Sequence, residues 1–198
     1  MSDSRLVVMI SGHGSNLQAI LDACASGELP ARVVAVVSSQ TEAFGMERAR
    51  RAGVPALARP WAKAQDRREY DTELAELVAS YRPDWVVLAG WMLILSLAFL
   101  DRFPNRVVNL HPALPGAFPG MRAIERALEA YRRGEIDHTG VMVHLVPDEG
   151  IDSGPALSQE VVPLYPHDTL ESLEQRIHSL EHQLLVSTLK SLCEKERV

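Results

Sequence analysis

Asn109 and His111 stand two residues apart in RVVNLHPALPGAFPG (106–120), and a later acidic segment, VPDEGIDSGP (146–155), carries Asp152. An amide beside an imidazole suits a reaction that creates an oxyanion and moves a proton. A carboxylate near that imidazole favours its charged form, or takes up a proton itself. Val107 and Val108 make a short apolar run that stops at Pro112. The residue before a proline is driven into extended backbone, so His111 should end a strand. Side chains two apart along a strand share a face, which turns Asn109 and His111 towards the same space. In open α/β sheets ligands bind at that carboxyl end. The competing reading is a strand-end amide and imidazole that merely satisfy loop backbone. In the acidic segment, Asp148, Glu149 and Asp152 do not have the spacing of an EF-hand loop. A solvated loop remains, or one carboxylate, Asp152, aimed inward by glycine-enabled turns.

Other segments offer binding chemistry. SGHGSNLQAI (11–20) is a Gly-rich turn between a strand and a helix, in which Gly14, Ser15 and Asn16 precede the helix. Free N–H groups and the helix dipole there suit a phosphate, and Ser15 and Asn16 are the capping residues. The third glycine of a dinucleotide fingerprint is Leu17, and the P-loop lysine is missing. A tight turn without a ligand is the alternative. In GWMLIL (90–95), Met92, Leu93, Ile94 and Leu95 could line a pocket for a flat ring or be ordinary core. His144 alternates with Met142 and Val146 and reads as a satisfied strand histidine. His178 and Glu181, three apart, share a helix side beside a leucine face, reaching a ligand or flanking the core.

The elements that must position these groups alternate. Strand-like runs at 6–10, 32–39, 54–58, 85–90 and 106–111 are separated by helical patterns, including 42–52 and 66–81. Continuous apolar strands such as RVVAVVSS indicate burial on both faces. This predicts an α/β fold with a doubly wound, mostly parallel sheet and helices on both faces. The second half looks mixed, with strands at 139–146 and 156–164 and a last helix that opens on an Asp168/Glu171 capping box. No linker or repeat is visible, so 1–198 reads as a single domain. Its N-terminal half is expected to bind phosphate or nucleotide, and its C-terminal half to hold the catalytic groups.

With 198 residues, 46% of them hydrophobic, the chain can bury a proper core. A net charge of −6 without a basic run argues against nucleic acid. Cys24 and Cys193 form neither a disulfide framework nor a metal-ligand spacing, and no metal is expected. No apolar run reaches membrane length, and a cytoplasmic protein is the default. Whether it works as a monomer or a homodimer is left open.

Together the stretches SGHGSNLQAI, AFGMERARRAGVP, PDWVVLAGWMLILS, VVNLHPALPGAFPG, TGVMVH and DEGIDSGP resemble the folate-dependent formyltransferases. Asn-x-His-Pro with a later Asp-x-Gly-Pro marks the wider family. The Gly-Ser-Asn turn and AFGMERAR point to its glycinamide ribonucleotide branch. The similarity runs from about Val7 to about Leu189. It implies a Rossmann-like formyltransferase fold and Asn109, His111 and Asp152 as a catalytic trio. It implies Gly14, Ser15 and Asn16 at the substrate phosphate, with His178 and Glu181 near the ribose and glycinamide. Met92, Leu93, Ile94 and Leu95 then match the folate pocket, with folate binding and catalysis expected in the C-terminal half, and Arg67 a contact to the folate's glutamate tail. The implied substrates are glycinamide ribonucleotide and 10-formyltetrahydrofolate, used in purine synthesis.

Three positions depart from the family pattern. Leu93 stands where relatives often carry Arg, Met142 replaces a small hydroxyl residue, and Pro115-Gly116 replaces Leu-Pro. The nearest rival is a formyltetrahydrofolate hydrolase with the same trio; that family usually adds an N-terminal regulatory domain. A methionyl-tRNA formyltransferase would need a basic surface. A non-catalytic folate or nucleotide sensor on the same fold is the alternative of a different class.

Overall fold

The computed structural model describes residues 3–62 and 64–195. Seven strands form one sheet in the order β3-β2-β1-β4-β5-β6-β7. β1 (Ser4–Ile10), β2 (Ala31–Ser38), β3 (Ala56–Ala58), β4 (Trp85–Leu88) and β5 (Val107–His111) run parallel. β6 (His138–Leu145) returns antiparallel beside β5, and β7 (Ala156–Pro163) antiparallel beside β6. The expected doubly wound, mostly parallel sheet is present, and the mixed second half is its antiparallel edge.

β1 is apolar throughout because both of its faces are covered. Leu6, Val8 and Ile10 pack on one side with α1 (Ser15–Ser26), α2 (Phe44–Arg51), α5 (Ala123–Arg132) and α6 (Leu170–Lys195). Val7 and Met9 pack on the other with α3 (Arg67–Ser80) and α4 (Leu97–Leu100). The strand order reverses between β1 and β4. The loops leaving their carboxyl ends diverge there and open a crevice, the place where open α/β sheets bind ligands.

Local chemistry sets the helix ends. Gly14, at φ 75°, is the N-cap of α1, and Gly27, at φ 78°, closes it by donating to the Cys24 carbonyl. Ser15 and Asn16, expected as caps, make no capping bond. α3 follows Asp66, whose carboxylate accepts the N–H groups of Arg68 and Glu69. At α6 the capping box is Thr169 and Ser172, each hydroxyl accepting the other's N–H at 3.0 and 3.1 Å. The box expected on Asp168 and Glu171 is one residue early. Asp168 instead accepts the Tyr165 N–H and pairs with Arg176. Cys24 and Cys193 are free thiols. Burial, reinforced by Cys193, pushes the Cys24 thiol up to about 11. Among the described residues no helix is long and apolar enough to cross a membrane.

Candidate active site

The loops after β1, β4 and β5, with the 148–155 loop and α6, enclose a cavity of about 610 Å³. Its walls take residues from both halves of the chain: Asn16 and Met92 to Leu95 from the first, Asn109, His111, Asp152, His178 and Glu181 from the second. The expected division into a phosphate-binding half and a catalytic half does not describe how the site is built, because the crevice lies at the sheet's centre.

On the floor, β5 ends in Asn109 and His111. Asn109 Nδ2 donates to Asp152 Oδ1 at 3.0 Å and lies 3.1 Å from His144 Nε2. Asp152 Oδ2 accepts the Gly120 N–H at 2.7 Å and sits 3.2 Å from His111 Nδ1. His111 Nε2 faces the Phe118 carbonyl at 3.1 Å. The structure therefore joins Asn109, His111 and Asp152 in one network. Asp152 is delivered by a strained loop: its own φ is 50°. A Cβ on Gly154 would lie 1.9 Å from the Leu145 carbonyl oxygen, so the loop can exit only through glycine.

Two influences on the charge of His111 oppose each other. Both ring nitrogens face oxygen acceptors, which only a doubly protonated ring satisfies. Burial works against that. It lowers the ring's pKa below the ordinary imidazole value, outweighing Asp152 and the Phe118 carbonyl, while His144 and Arg126 push in the same direction as burial. The ring is 4% exposed. Burial thus favours the neutral ring, while the two acceptors favour the imidazolium expected beside Asp152. Burial pushes the Asp152 carboxyl up, but His144, the Gly120 N–H and His111 outweigh it and hold it below the usual carboxylate range.

His144, read from the sequence as a satisfied strand histidine, belongs to this network. β6 pairs with β5 in a register that sets His144 opposite Asn109. Its Nδ1 is 2.8 Å from the Leu145 carbonyl. Its Nε2 lies 3.1 Å from Asn109 Nδ2 and 3.5 Å from Asp152 Oδ1, which ties it to the network. The alternation in TGVMVHLV was visible, but its significance needed the antiparallel register. Arg126 was missed: it donates to the Phe118 and Pro119 carbonyls, each at 2.7 Å, and so holds the turn behind His111.

The polar wall is built on α1 and α6. Asn16 Nδ2 donates to Glu181 Oε2 at 3.3 Å. Burial raises the Glu181 carboxyl above the ordinary glutamate value, against the opposing pull of His178 and Asn16. Asn16 Oδ1 is buried without a protein partner. Gly14 and Ser15 are not among the lining residues, although they begin the helix that presents Asn16. A Cβ on Gly14 would lie 2.7 Å from Gly45 Cα. Gly45 donates to the Gly12 carbonyl and Arg48 Nε to that of His13. The AFGMERAR segment therefore buttresses the turn.

The apolar wall follows β4. Met92 and Ile94 are 59% and 55% exposed, and Met121 and Ile151 stand exposed across the same cavity. Exposed apolar side chains gathered at a mouth mark a ligand surface. Leu93 lines this wall, where it also packs on the second core cluster. Leu95 is buried. Arg67 does not line the cavity. It pairs with Asp71 at 3.1 Å and donates to the Ile94 carbonyl, bracing the wall from behind. Met142 is buried on β6 opposite His111, and Gly116 turns the chain at φ 78°.

Comparison with known proteins places this arrangement. The chain is 46% identical to the phosphoribosylglycinamide formyltransferase of Schizosaccharomyces pombe, with 94% of this chain and 96% of that protein covered. It is 44% identical to that of Escherichia coli, with 90% and 82% covered. The crystal structure of glycinamide ribonucleotide transformylase 1 from Symbiobacterium toebii matches it with a TM-score of 0.91 at 42% identity, covering 98% of this chain and 89% of that one. A model of the formyl transferase family matches residues 4–189, from the first residue of β1 to deep within α6, and on that span the chain belongs to the formyl transferase family.

Proposed function

We propose that this cavity transfers the formyl group of 10-formyltetrahydrofolate to the primary amine of glycinamide ribonucleotide, a step of purine biosynthesis. The observation that carries the reading is the convergence of Asn109, His111 and Asp152 on the floor between an apolar and a polar wall. Met92, Leu93, Ile94 and Leu95 suit the flat ring of the folate. Gly14, Ser15 and Asn16 open α1, whose first N–H groups have no intrahelical acceptor and suit the phosphate. His178 and Glu181 face the space between, where ribose and glycinamide would lie. A hydrolase needs only water at the trio; this second, polar wall favours an amine substrate with its own binding surface.

The chemistry needs one C–N bond to form, one to break, and one proton to pass from the attacking amine to the leaving folate nitrogen. Neutral His111 is suited to accept that proton. Negative charge growing on the formyl oxygen beside it favours the imidazolium, and the N–H that passes the proton to the leaving nitrogen turns from the Phe118 carbonyl to do so, while the other stays on Asp152. Such positioned proton transfer contributes roughly 10²–10⁴ in rate. Asn109 Nδ2, which keeps one N–H on Asp152 Oδ1, turns the other from His144 to the oxyanion, and one such donor is worth about 10²–10³. Asp152 orients both groups and balances the charge on His111. No step calls for a metal.

The test is a cycle of His111→Asn, Asp152→Asn and the double variant, with kcat and the binding of each substrate measured. Residues acting as one unit lose rate non-additively, so the double variant should be little worse than the worse single one. Both substrates should still bind. Near-normal kcat in either single variant sinks the assignment.

A further inference from the structure

The apolar wall has no regular secondary structure, so something other than a helix or strand must fix its backbone. Side chains do this. The Met92 N–H donates to Ser11 Oγ at 2.9 Å, and the Ile94 carbonyl accepts from Arg67 Nη2. The Ser96 N–H donates to Asp71 Oδ2 at 2.8 Å. Asp71 is the unexpected member. It is 0% exposed, on the α3 face that otherwise buries Tyr70, Leu74, Ala75 and Val78. Its Oδ2 serves Ser96 and Arg67 Nε together, while Oδ1 is buried with no protein partner. The Arg67 guanidinium carbon lies 5.3 and 5.2 Å from the ring centres of Trp61 and Tyr70. A fully buried carboxylate with one oxygen unpartnered and a partly exposed arginine as its partner is poor at stabilising a fold; an apolar pair of similar volume often does as well or better.

We infer that Asp71 is a positioning residue for the formyl donor: through Arg67 and Ser96 it fixes residues 94–96, and hence the distance at which Ile94 meets the donor's ring. This rests on the reading that Met92 to Leu95 form the folate wall. The geometry is a clamp with two arms from one oxygen. One arm is direct, to the Ser96 N–H. The other passes through Arg67 to the Ile94 carbonyl. Asp71 touches no reacting atom, so its effect must appear in the binding of one substrate and not in the chemical step.

The experiment measures KM for each substrate and kcat in Asp71→Asn, Ser96→Pro and Ile94→Asp, with melting temperatures. Asp71→Asn keeps an acceptor but removes the charge that holds Arg67. Ser96→Pro removes the N–H of the direct arm, with a hydroxyl that has no protein partner, and sets the ring against Asp71 Oδ2 in its place; Ser96 at φ −84° is within reach of proline. Losing a charge-assisted hydrogen bond corresponds to about tenfold or more in binding. The KM for 10-formyltetrahydrofolate should rise about tenfold in Asp71→Asn and in Ser96→Pro. The KM for glycinamide ribonucleotide and kcat at saturation should stay within about twofold. A lower melting temperature with both KM values unchanged, or with both raised equally, makes Asp71 merely structural and overturns the inference. If Asp71→Asn fails to fold, Ser96→Pro decides by the same criteria. If Ile94→Asp raises the folate KM and the clamp variants do not, the clamp alone is wrong. If Ile94→Asp leaves it unchanged, the wall assignment fails and the clamp's role falls with it.

Discussion

Asn109→Asp perturbs the network at its most crowded point. Asn109 Nδ2 stands 3.0 Å from Asp152 Oδ1. Aspartate there sets two carboxylates at about that distance. At an effective dielectric of about 20, two unit charges so close repel by about 5 kcal/mol. That is a large share of the roughly 5–15 kcal/mol by which a domain is stable. The pair must therefore retain one proton at neutral pH. The sign follows from linkage. A carboxyl whose pKa is raised by folding costs stability as pH climbs above its unfolded value, and the loss levels off beyond the raised value. Wild-type Asp152 behaves oppositely: its folded pKa is depressed, so its contribution is present above the ordinary carboxylate value and lost only in acid. The melting-temperature deficit of Asn109→Asp should thus grow from acidic to alkaline buffer. The variant also loses the amide donor to His144 and to the oxyanion, about 10²–10³ in kcat. A deficit independent of pH, or a kcat near wild type, refutes the claim that the amide and carboxylate are locked together.

Glu181→Gln should be more stable than wild type above the ordinary glutamate pKa, because folding raises this carboxyl and its buried charge is a cost; it should also raise the KM for glycinamide ribonucleotide, and melting curves against pH with steady-state kinetics check both. Gly14→Ala should cost about 1–2 kcal/mol from the left-handed backbone alone, or roughly 2–8 °C in melting temperature, whereas Gly12→Ala, with nothing within 4 Å of its new Cβ, should not. An NMR titration of His111 should give a value below the ordinary imidazole pKa; stability from its neutral form is then present above that value and lost as pH falls below it. A His111 that titrates above it contradicts the dominance of burial over its two acceptors.

The sheet was legible because its strands are buried on both faces and so read as unbroken apolar runs, and His111 was placed by Pro112. The pairing of Asn109 with His111 needed only the two-residue repeat of a strand. His144 was not legible in the same way. Its face depends on the register between β5 and β6, which no local pattern states. Asp71 was hidden because periodicity flags apolar residues, and a buried carboxylate breaks the pattern instead of extending it. Arg67 emerged from resemblance alone, and its partners Asp71 and the Ile94 carbonyl belong to tertiary structure. The α6 cap was misplaced by one residue because DTLES offers two overlapping boxes, and Arg176 draws Asp168 away from the role. Of the influences on His111, the nearby carboxylate was visible in the sequence and the depth of burial was not.

The central claim is that the trio delivers the formyl group to an amine and not to water. Release of tetrahydrofolate from 10-formyltetrahydrofolate should be followed with the intact chain, with and without glycinamide ribonucleotide, while the fate of the formyl carbon is traced. The expected result is release only when the ribonucleotide is present, with the formyl carbon on its amine nitrogen. Release at the same rate without it, with the carbon recovered as formate, would show a hydrolase and contradict the proposed transfer; tight binding of both substrates with no release would do the same in favour of a sensor.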